Sequence, residues 1–202
     1  MKKSVLVVDY GFGNLSSIIY RLEKLGYKAW GTSNSKLVAN ADLVILPGVG
    51  AFGAAMDFLE QSNFSSQIKE HVGNGKPLLG ICLGMQLLTK GSLECVSARG
   101  LGLLPGKFVP FSCHNAHTGW NTVTFSKDLD ISDSLNSCEY YFNHSFRYKG
   151  PDKIKLGQVK HGNQFAAAIG RKKIIGVQFH PEKSQQDGAK FLQNILKNMI
   201  NA

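Results

Sequence analysis

The stretch KPLLGICLGMQLL (residues 76–88) changes from a strand-like apolar run to a helical pattern, and two glycines flank the cysteine at the change. The pattern G-x-C-x-G at a strand-to-helix turn has the form of a nucleophile elbow, where glycines avoid steric clash around the nucleophile. The positive end of the helix dipole also favours the reactive thiolate of a cysteine placed there. We therefore predict that Cys82 is a nucleophile; the alternative is that it packs as a small hydrophobe.

Strands and helices alternate around this turn through the first half of the chain. Predicted strands cover 4–9, 41–48 and 76–82, and predicted helices cover 14–26, 54–61, a segment up to His71, and 84–90. This alternation is typical of βαβ units and a parallel sheet. Later short strands separated by turn residues predict antiparallel hairpins, followed by a last helix over 186–199. We expect one α/β domain over 1–202, with a central, mostly parallel sheet flanked by helices and an additional antiparallel sheet from the C-terminal half.

Composition and charge restrict the class of function. The 202 residues are 43% hydrophobic and 18% charged, as in an ordinary globular protein. The net charge of +9 comes from scattered basic residues, and the densest run, Arg171 to Lys173, is predicted as a hairpin turn, so we expect no nucleic-acid partner. No stretch reaches the roughly 18 apolar residues of a membrane helix. Asp9 interrupts the first apolar run before signal-peptide length, so we expect a cytoplasmic protein without membrane contact.

A cysteine nucleophile needs a base, and the base needs an orienting group. Of the six histidines, His180 in GVQFHPEKS (176–184) is the best placed, because it ends a predicted strand. Glu182 is two residues further on, and on a strand these two side chains share one face. We therefore predict that Glu182 orients His180, with Pro181 keeping the backbone between them extended. The alternative for a lone histidine is a core or surface role.

Two readings are open for the glycine-rich stretch GVGAFG (48–53). It satisfies G-x-G-x-x-G between a strand and a helix, which is the pattern of a dinucleotide site, but Glu70 is the only acid about 20 residues on and it lies within a predicted helix. The other reading is an oxyanion hole. In that case one N–H comes from Leu83, after the nucleophile, and another from the turn 47–50 at the end of the neighbouring strand.

The three motifs GICLGMQ, LPGVGAFG and GVQFHPEKS together resemble those of class I glutamine amidotransferases of the triad type. Further motifs, VDYGFGNLSS, GLGLLPG, TGWN and FNHSF, resemble the family of glutaminase subunits of imidazole glycerol phosphate synthase, which act in histidine biosynthesis. The resemblance covers nearly the whole chain. It implies the flavodoxin-like fold of class I glutamine amidotransferases and no cofactor.

The resemblance also implies a reaction and a partner. Cys82 would attack the side-chain amide of L-glutamine, His180 would relay the proton that releases ammonia, and Glu182 would orient His180. The ammonia would pass through a tunnel to a partner cyclase, a (β/α)8 barrel, in a heterodimer. The matching positions for the oxyanion and the substrate are Gly48, Val49, Gly50, Leu83, Gln86, Glu94, His144 and Ser145, and those for the partner interface are Asn14 and Trp120.

Two of these positions have a physical argument beside the resemblance. A carboxylate at Glu94 would pair with the α-amino group of glutamine, and the alternative is a solvated loop acid. An aromatic side chain at Trp120 beside Gly119 suits an interface anchor, and the alternative is ordinary core packing.

One loop departs from the family pattern. Family members read Pro-His-Met-Gly-Trp-Asn where this chain has Ala-His-Thr-Gly-Trp-Asn (116–121), preceded by Cys113, His114 and Asn115. A paralogous glutaminase that supplies a sugar-amidinating synthase in surface polysaccharide synthesis is therefore an alternative. Cys113, His114 and His117 raise a metal hypothesis, but neighbouring ligands on a short loop suit tetrahedral geometry poorly and we expect no metal.

Two other classes of function are possible on this fold. One is a non-catalytic assembly module that descends from a glutaminase, and the presence of Cys82, His180 and Glu182 argues against it. The other is a stand-alone cysteine hydrolase such as a peptidase, and Gln86 and Glu94 favour glutamine instead. We therefore expect a glutamine-hydrolysing enzyme.

Overall fold

The computed structural model describes residues 2–13, 15–111, 116–127, 129, 135–136 and 138–201. The helices among them are α1 (Leu15–Lys24), α2 (Phe52–Gln61), α3 (Phe64–Gly73), α4 (Leu83–Leu87) and α5 (Gln185–Asn201). The strands are β1 (Ser4–Val8), β2 (Lys28–Thr32), β3 (Leu43–Leu46), β4 (Leu78–Ile81), β5 (Lys107–Pro110), β6 (His117–Thr122), β7 (Thr124–Phe125), β8 (Glu139–His144), β9 (Phe146–Lys149), β10 (Lys155–His161), β11 (Asn163–Arg171) and β12 (Ile174–Val177). None of the described helices combines the length and the apolar character needed to cross a bilayer.

The large sheet is mixed, and its strand order places the site. Within the described residues it has eight strands in the order β2-β1-β3-β4-β12-β11-β10-β7. The pairs from β2 to β12 are parallel, and those from β12 to β7 are antiparallel. Because β3, β4 and β12 are parallel neighbours, the segments that follow them emerge at the same edge of the sheet. The predicted fold class is confirmed, with two-stranded antiparallel sheets β5-β9 and β6-β8 beside the main sheet.

Alternate strand residues build two hydrophobic cores, one on each face of the sheet. Val5, Val7 and Ile81 belong to the core under α1 and α5. Leu6 and Leu46 belong to the other core, under α2, α3 and α4. Successive strand side chains point to opposite faces, so a parallel strand covered by helices on both faces has to be apolar throughout. This is why continuous apolar runs, and not alternating ones, mark the strands of the first half.

The structure differs from the predicted elements in a few places. Strand β2, Lys28–Thr32, was not predicted, since it is a partly exposed edge strand whose KAWGT sequence has no strong apolar pattern. The hairpin turn predicted at Arg171 to Lys173 is confirmed between β11 and β12, with Lys172 in a left-handed conformation (φ 55°). Strand β12 ends at Val177, three residues earlier than predicted.

Candidate active site

Cys82 lies in the sharp turn between β4 and α4, in a backbone conformation that L-residues rarely adopt (φ 48°, ψ −100°). Its N–H donates to the carbonyl of Val177 at 2.7 Å, which ties the turn to β12. A Cβ on Gly80 would lie 2.5 Å from the Gly84 carbonyl oxygen, and a Cβ on Gly84 would overlap the main chain of Leu46. Each flanking glycine is therefore required by a close approach of main chain, as a nucleophile elbow demands.

His180 and Glu182 form a hydrogen-bonded pair at the end of β12. The two side chains are almost fully buried, and His180 Nδ1 lies 2.8 Å from Glu182 Oε1. A carboxylate only accepts, so Nδ1 carries the proton and Nε2 is the nitrogen free for the cysteine. The contact between the two residues is as predicted, but its geometry is not: Glu182 lies on a 3-10 turn, Pro181–Lys183, that follows the strand. Pro181 starts this turn because its fixed φ suits the first position of a helix.

The electrostatics around His180 favour its protonated form. Burial lowers the pKa of His180, but hydrogen bonds to Cys82 and Glu182 and their negative charges outweigh burial and raise it to about 10. The group is therefore an imidazolium at neutral pH, facing Cys82 on one side and Glu182 on the other.

The glycine-rich turn that follows β3 lies over both reactive side chains. A Cβ on Gly48 would lie 3.1 Å from Cys82 Cβ and 3.2 Å from His180 Cε1. Gly50 has φ 120°, which only glycine adopts readily. The turn 48–50 thus brings main chain directly against Cys82 and His180, which is the place predicted for an oxyanion hole.

One cavity of about 260 Å³ collects all eight of the predicted oxyanion and substrate positions. Its lining includes Gly48, Val49, Gly50, Cys82, Leu83, Gln86, Glu94, His144 and Ser145, together with Asn143 and Phe146. Gln86 is 5% exposed, and within the described part of the chain its Oε1 accepts no hydrogen bond. A buried acceptor of this kind is available to a ligand.

Glu94 has a structural contact as well as a place in the cavity. Its Oε1 accepts the N–H of Phe52, the first residue of α2, at 3.1 Å. A carboxylate at a helix N-terminus is stabilised by the unpaired N–H groups there. Glu94 also lines the cavity, so its contact with the α-amino group of a substrate stays a prediction.

His144 is held by a chain of hydrogen bonds. His144 Nδ1 donates to the carbonyl of Phe146 at 2.8 Å, so its Nε2 accepts from His117 Nδ1 at 3.1 Å. Burial, above all, lowers the pKa of His144 to about 3 and that of His117 to about 4. Both imidazoles are therefore neutral in this site, and His144 shapes the cavity wall without adding charge.

The predicted interface residues lie partly within the described structure. Trp120 is 46% exposed on β6, with its ring against that of Tyr141 at 6.0 Å between centroids. It is thus an exposed side chain and not part of the core. Asn14 lies outside the described residues.

The metal hypothesis is not tested as a set, since Cys113 and His114 also lie outside the described residues. Within the described part, no group of three or more His, Cys, Asp or Glu side chains is suited to a metal ion.

Sequence reasoning missed Gln178, which lies against Cys82. Its Nε2 is 3.6 Å from Cys82 Sγ, and the side chain is fully buried. The signal was present in GVQFHPEKS, where Gln178 precedes His180 by two residues. A polar residue inside an otherwise apolar strand end was the feature to follow.

The chain has clear relatives among known proteins. The family model for glutamine amidotransferase class-I matches residues 6–199. The imidazole glycerol phosphate synthase subunit HisH of Aquifex aeolicus (strain VF5) is 43% identical over 194 residues, 94% of this chain and 94% of that protein. The subunit HisH of Chlorobium chlorochromatii (strain CaD3) is 43% identical over 196 residues, 94% of this chain and 98% of that protein. A crystal structure of a glutamine amidotransferase superposes with TM-score 0.79 at 15% identity, over 98% of this chain and 99% of that one.

Proposed function

The chain belongs to the class-I glutamine amidotransferase family, and we propose that it is the glutaminase subunit of an imidazole glycerol phosphate synthase. It hydrolyses L-glutamine to glutamate and ammonia in the cytoplasm, where thiols such as that of Cys82 stay reduced. The ammonia passes to a partner cyclase subunit, a (β/α)8 barrel, for histidine biosynthesis. The observation that carries the proposal is the single cavity in which Cys82 meets the turn 48–50 and Gln86.

The proposed reaction begins with acylation of the cysteine. The Cys82 thiolate attacks the side-chain amide carbon of glutamine. The oxyanion that forms accepts hydrogen bonds from the N–H groups of Leu83 and the turn 48–50. The imidazolium of His180 gives its Nε2 proton to the leaving nitrogen, so the C–N bond breaks and ammonia departs. Glu182 holds the ring so that Nε2 faces the reaction. A γ-glutamyl thioester remains on Cys82.

The second half of the reaction restores the enzyme. Neutral His180 takes a proton from water as the water attacks the thioester, and the C–S bond breaks to return the Cys82 thiolate. Glutamate leaves as the carboxylate, its proton passing to solvent. Gln86 and Glu94 bind the α-amino end of glutamine, because both present oxygen acceptors to the cavity and an ammonium group only donates.

A second cavity supports a route for ammonia. It has a volume of about 190 Å³, shares Gly48 and Val49 with the first cavity, and borders the turn 48–50 on the side of Glu182 and Lys183. We assign this side to the partner cyclase, together with the surface around exposed Trp120 and the segment containing Asn14. The glutaminase activity is then expected to rise when the cyclase covers this surface.

The first experiment measures glutamate released from glutamine by the purified chain, alone and with the cyclase from the same organism and its ligand. Strong stimulation by the cyclase supports the proposal. Basal hydrolysis without stimulation would move the partner to another synthase, with the sugar-amidinating one tested next. No hydrolysis under either condition would contradict a glutaminase.

The Cys82→Ala variant tests the role of the nucleophile within the complex. We expect glutamine-dependent product formation to be lost, while product formation from added ammonium salts stays at the wild-type level. Cys95→Ala is the matched control, and both activities should persist in it. Loss of both activities in Cys82→Ala would mean that Cys82 is structural.

A further inference from the structure

The segment that leaves β12 places a second side chain on the nucleophile besides His180. Gln178 Nε2 lies 3.6 Å from Cys82 Sγ, within hydrogen-bond distance for sulfur. The side chain is completely buried, and the backbone N–H of Gln178 donates to the carbonyl of Ala167 at 2.8 Å. The main chain at Gln178 is thus fixed by the sheet, and burial confines the amide beside Cys82.

The amide of Gln178 is not explained by packing. Within the described residues its Oε1 accepts no hydrogen bond, although the atom is buried. A buried acceptor without a partner costs stability, and an apolar side chain of the same size would avoid that cost. What the amide provides, and a leucine or methionine would not, is an N–H donor at Cys82 Sγ.

The surroundings of Cys82 Sγ depend on its charge. As a thiol, Cys82 can donate to the carbonyl of Asn143, which is 3.8 Å from Sγ. A thiolate only accepts, so that carbonyl cannot stabilise it, and donors have to come from elsewhere. The donors that the structure places there are the imidazolium of His180 and the amide of Gln178.

We propose that Gln178 is a further catalytic residue, whose amide N–H donates to the Cys82 thiolate and stabilises it as nucleophile and as leaving group. This role rests on the proposed glutaminase function and adds a donor to the Cys-His-Glu set. Before the attack, the N–H favours ionisation of Cys82. When the thioester is hydrolysed, the same N–H receives the departing sulfur as it regains its charge.

Several titratable groups surround Cys82 and have to be separated from the effect of Gln178. His180 and Glu182 follow β12, His144 ends β8, and Glu94 lies on the loop after α4. His144 stays neutral, since burial chiefly lowers its pKa to about 3. A variant of Gln178 that keeps these residues unchanged therefore reports on the N–H donor itself.

The test compares wild type with Gln178→Leu and Gln178→Met in two measurements. The first is the pH midpoint of iodoacetamide alkylation of Cys82, followed by mass spectrometry of its peptide, with Cys95 in the same chain as internal control. We expect the midpoint to rise by about one pH unit in both variants, because a hydrogen bond to a charged group is lost. The second is glutamine hydrolysis with the partner, which should fall about tenfold at pH 7 and less at higher pH.

Thermal unfolding separates a catalytic role from a structural one. If Gln178 acts on the thiolate, the variants should unfold at or above the wild-type temperature, because a buried unpaired acceptor has been removed. Gln158→Leu, on β10 and away from the cavity, is the control for replacing a sheet glutamine. An unchanged alkylation midpoint in a folded Gln178→Leu or Gln178→Met would overturn the inference, as would an equal loss of activity at every pH.

The result also distinguishes this inference from the proposed function. If wild-type Cys82 is no more reactive than Cys95 at neutral pH and glutamine is not hydrolysed, the glutaminase proposal itself is wrong. If wild type is active but the variants match it, only the role of Gln178 is wrong.

Discussion

The two glycine-rich turns that meet at Cys82 are held in different ways. In the elbow after β4, the space beside Gly80 and Gly84 is filled by main-chain atoms of the protein's own sheet and helix. In the turn after β3, a Cβ on Gly50 would instead run into the ring of Phe12. Main chain within a sheet cannot move aside, whereas a half-buried aromatic side chain on a loop can.

This difference separates a fixed part of the site from an adjustable one. Cys82 is anchored by β4 and β12, and the elbow around it packs on the main chain of Leu46 in β3. In the turn 48–50, Gly48 packs on the main chain of Ile81, but Gly50 lies against the segment around Phe12, whose ring also stacks on Tyr10 at 5.5 Å between centroids. The same segment lines the cavity on the far side of the turn, which we assign to the partner. Under the proposed function, a partner bound there would contact the Gly50 end of the turn and leave the elbow at Cys82 in place.

The largest effect is expected at the elbow. In Gly84→Ala the added Cβ would overlap main-chain atoms of Leu46, which cannot withdraw. We expect a loss of about 3 kcal/mol in the free energy of unfolding, measured by urea denaturation, and no detectable glutaminase activity. Gly73→Ala is the matched control, because nothing lies within 4 Å of its Cβ and alanine favours the helix. Wild-type stability in Gly84→Ala would show that the elbow is as adjustable as the other turn.

The next effect concerns charge and leaves the elbow geometry in place. Glu182→Gln is expected to reduce glutamine hydrolysis by about 10³- to 10⁴-fold, as loss of the orienting carboxylate does in other triads. The substitution should also change how the stability of the protein depends on pH. The fold raises the pKa of His180 from 6.5 to about 10. The stabilisation that protonated His180 gives to the folded wild type is therefore complete below pH 6.5 and is lost as pH rises towards 10.

Unfolding temperatures measured at a series of pH values test the predicted direction of this pH dependence. Glu182→Gln should be less stable than wild type from about pH 5 to 6.5, where the stabilisation linked to His180 is complete, and the two curves should converge near pH 10. A difference in unfolding temperature between wild type and Glu182→Gln that widens with rising pH would contradict a protonated His180 in the folded enzyme.

The smallest effect is expected at the adjustable turn. Gly50→Ala strains a backbone at φ 120° and places a methyl group against Phe12, so we expect a loss of about 1–3 kcal/mol in stability. Glutamine hydrolysis should fall by about 10- to 100-fold, since one oxyanion donor is displaced. Alkylation of Cys82 should stay at the wild-type rate, because the elbow is intact.

Adding Phe12→Ala to Gly50→Ala sharpens the comparison. The second change removes the ring from the path of the new methyl group but leaves the strained backbone, so partial recovery of activity is expected. Full recovery would mean that the contact with Phe12 alone sets the turn. A further loss would mean that Phe12 supports the turn in another way.

Much of the parallel half of the fold followed from the sequence. Its strands are buried on both faces and are therefore continuous apolar runs, which are readily distinguished from the helices between them. Strand β2 was not predicted because it lies at the sheet edge, where one side is solvated and the apolar pattern of the sequence is weak. In the second half, the antiparallel hairpins were predicted, but their position in the fold was not. Strands β10, β11 and β12 pair so that they extend the main sheet.

The candidate site shows the same limit in finer detail. The contact between His180 and Glu182 was predicted from strand spacing, yet the chain makes it with a 3-10 turn that begins at Pro181. A spacing of two residues allows the contact on a strand or on a 3-10 turn. The end of β12 at Val177 decides in favour of the turn. Gln178 stands out in the sequence as a polar residue at an apolar strand end, but only the fold places its amide 3.6 Å from Cys82 Sγ.

The sequence by itself determined the chemistry of this protein: a cysteine between two glycines, a histidine followed by an acid, and a family pattern along nearly the whole chain. These are local, because glycine freedom, strand polarity and side-chain type are properties of short segments. The tertiary structure decided which segments share the cavity, since Cys82, the turn 48–50 and His180 are far apart in sequence and meet only through the order β3-β4-β12. Strand order is set by packing over the whole sheet, and no short stretch of sequence records it.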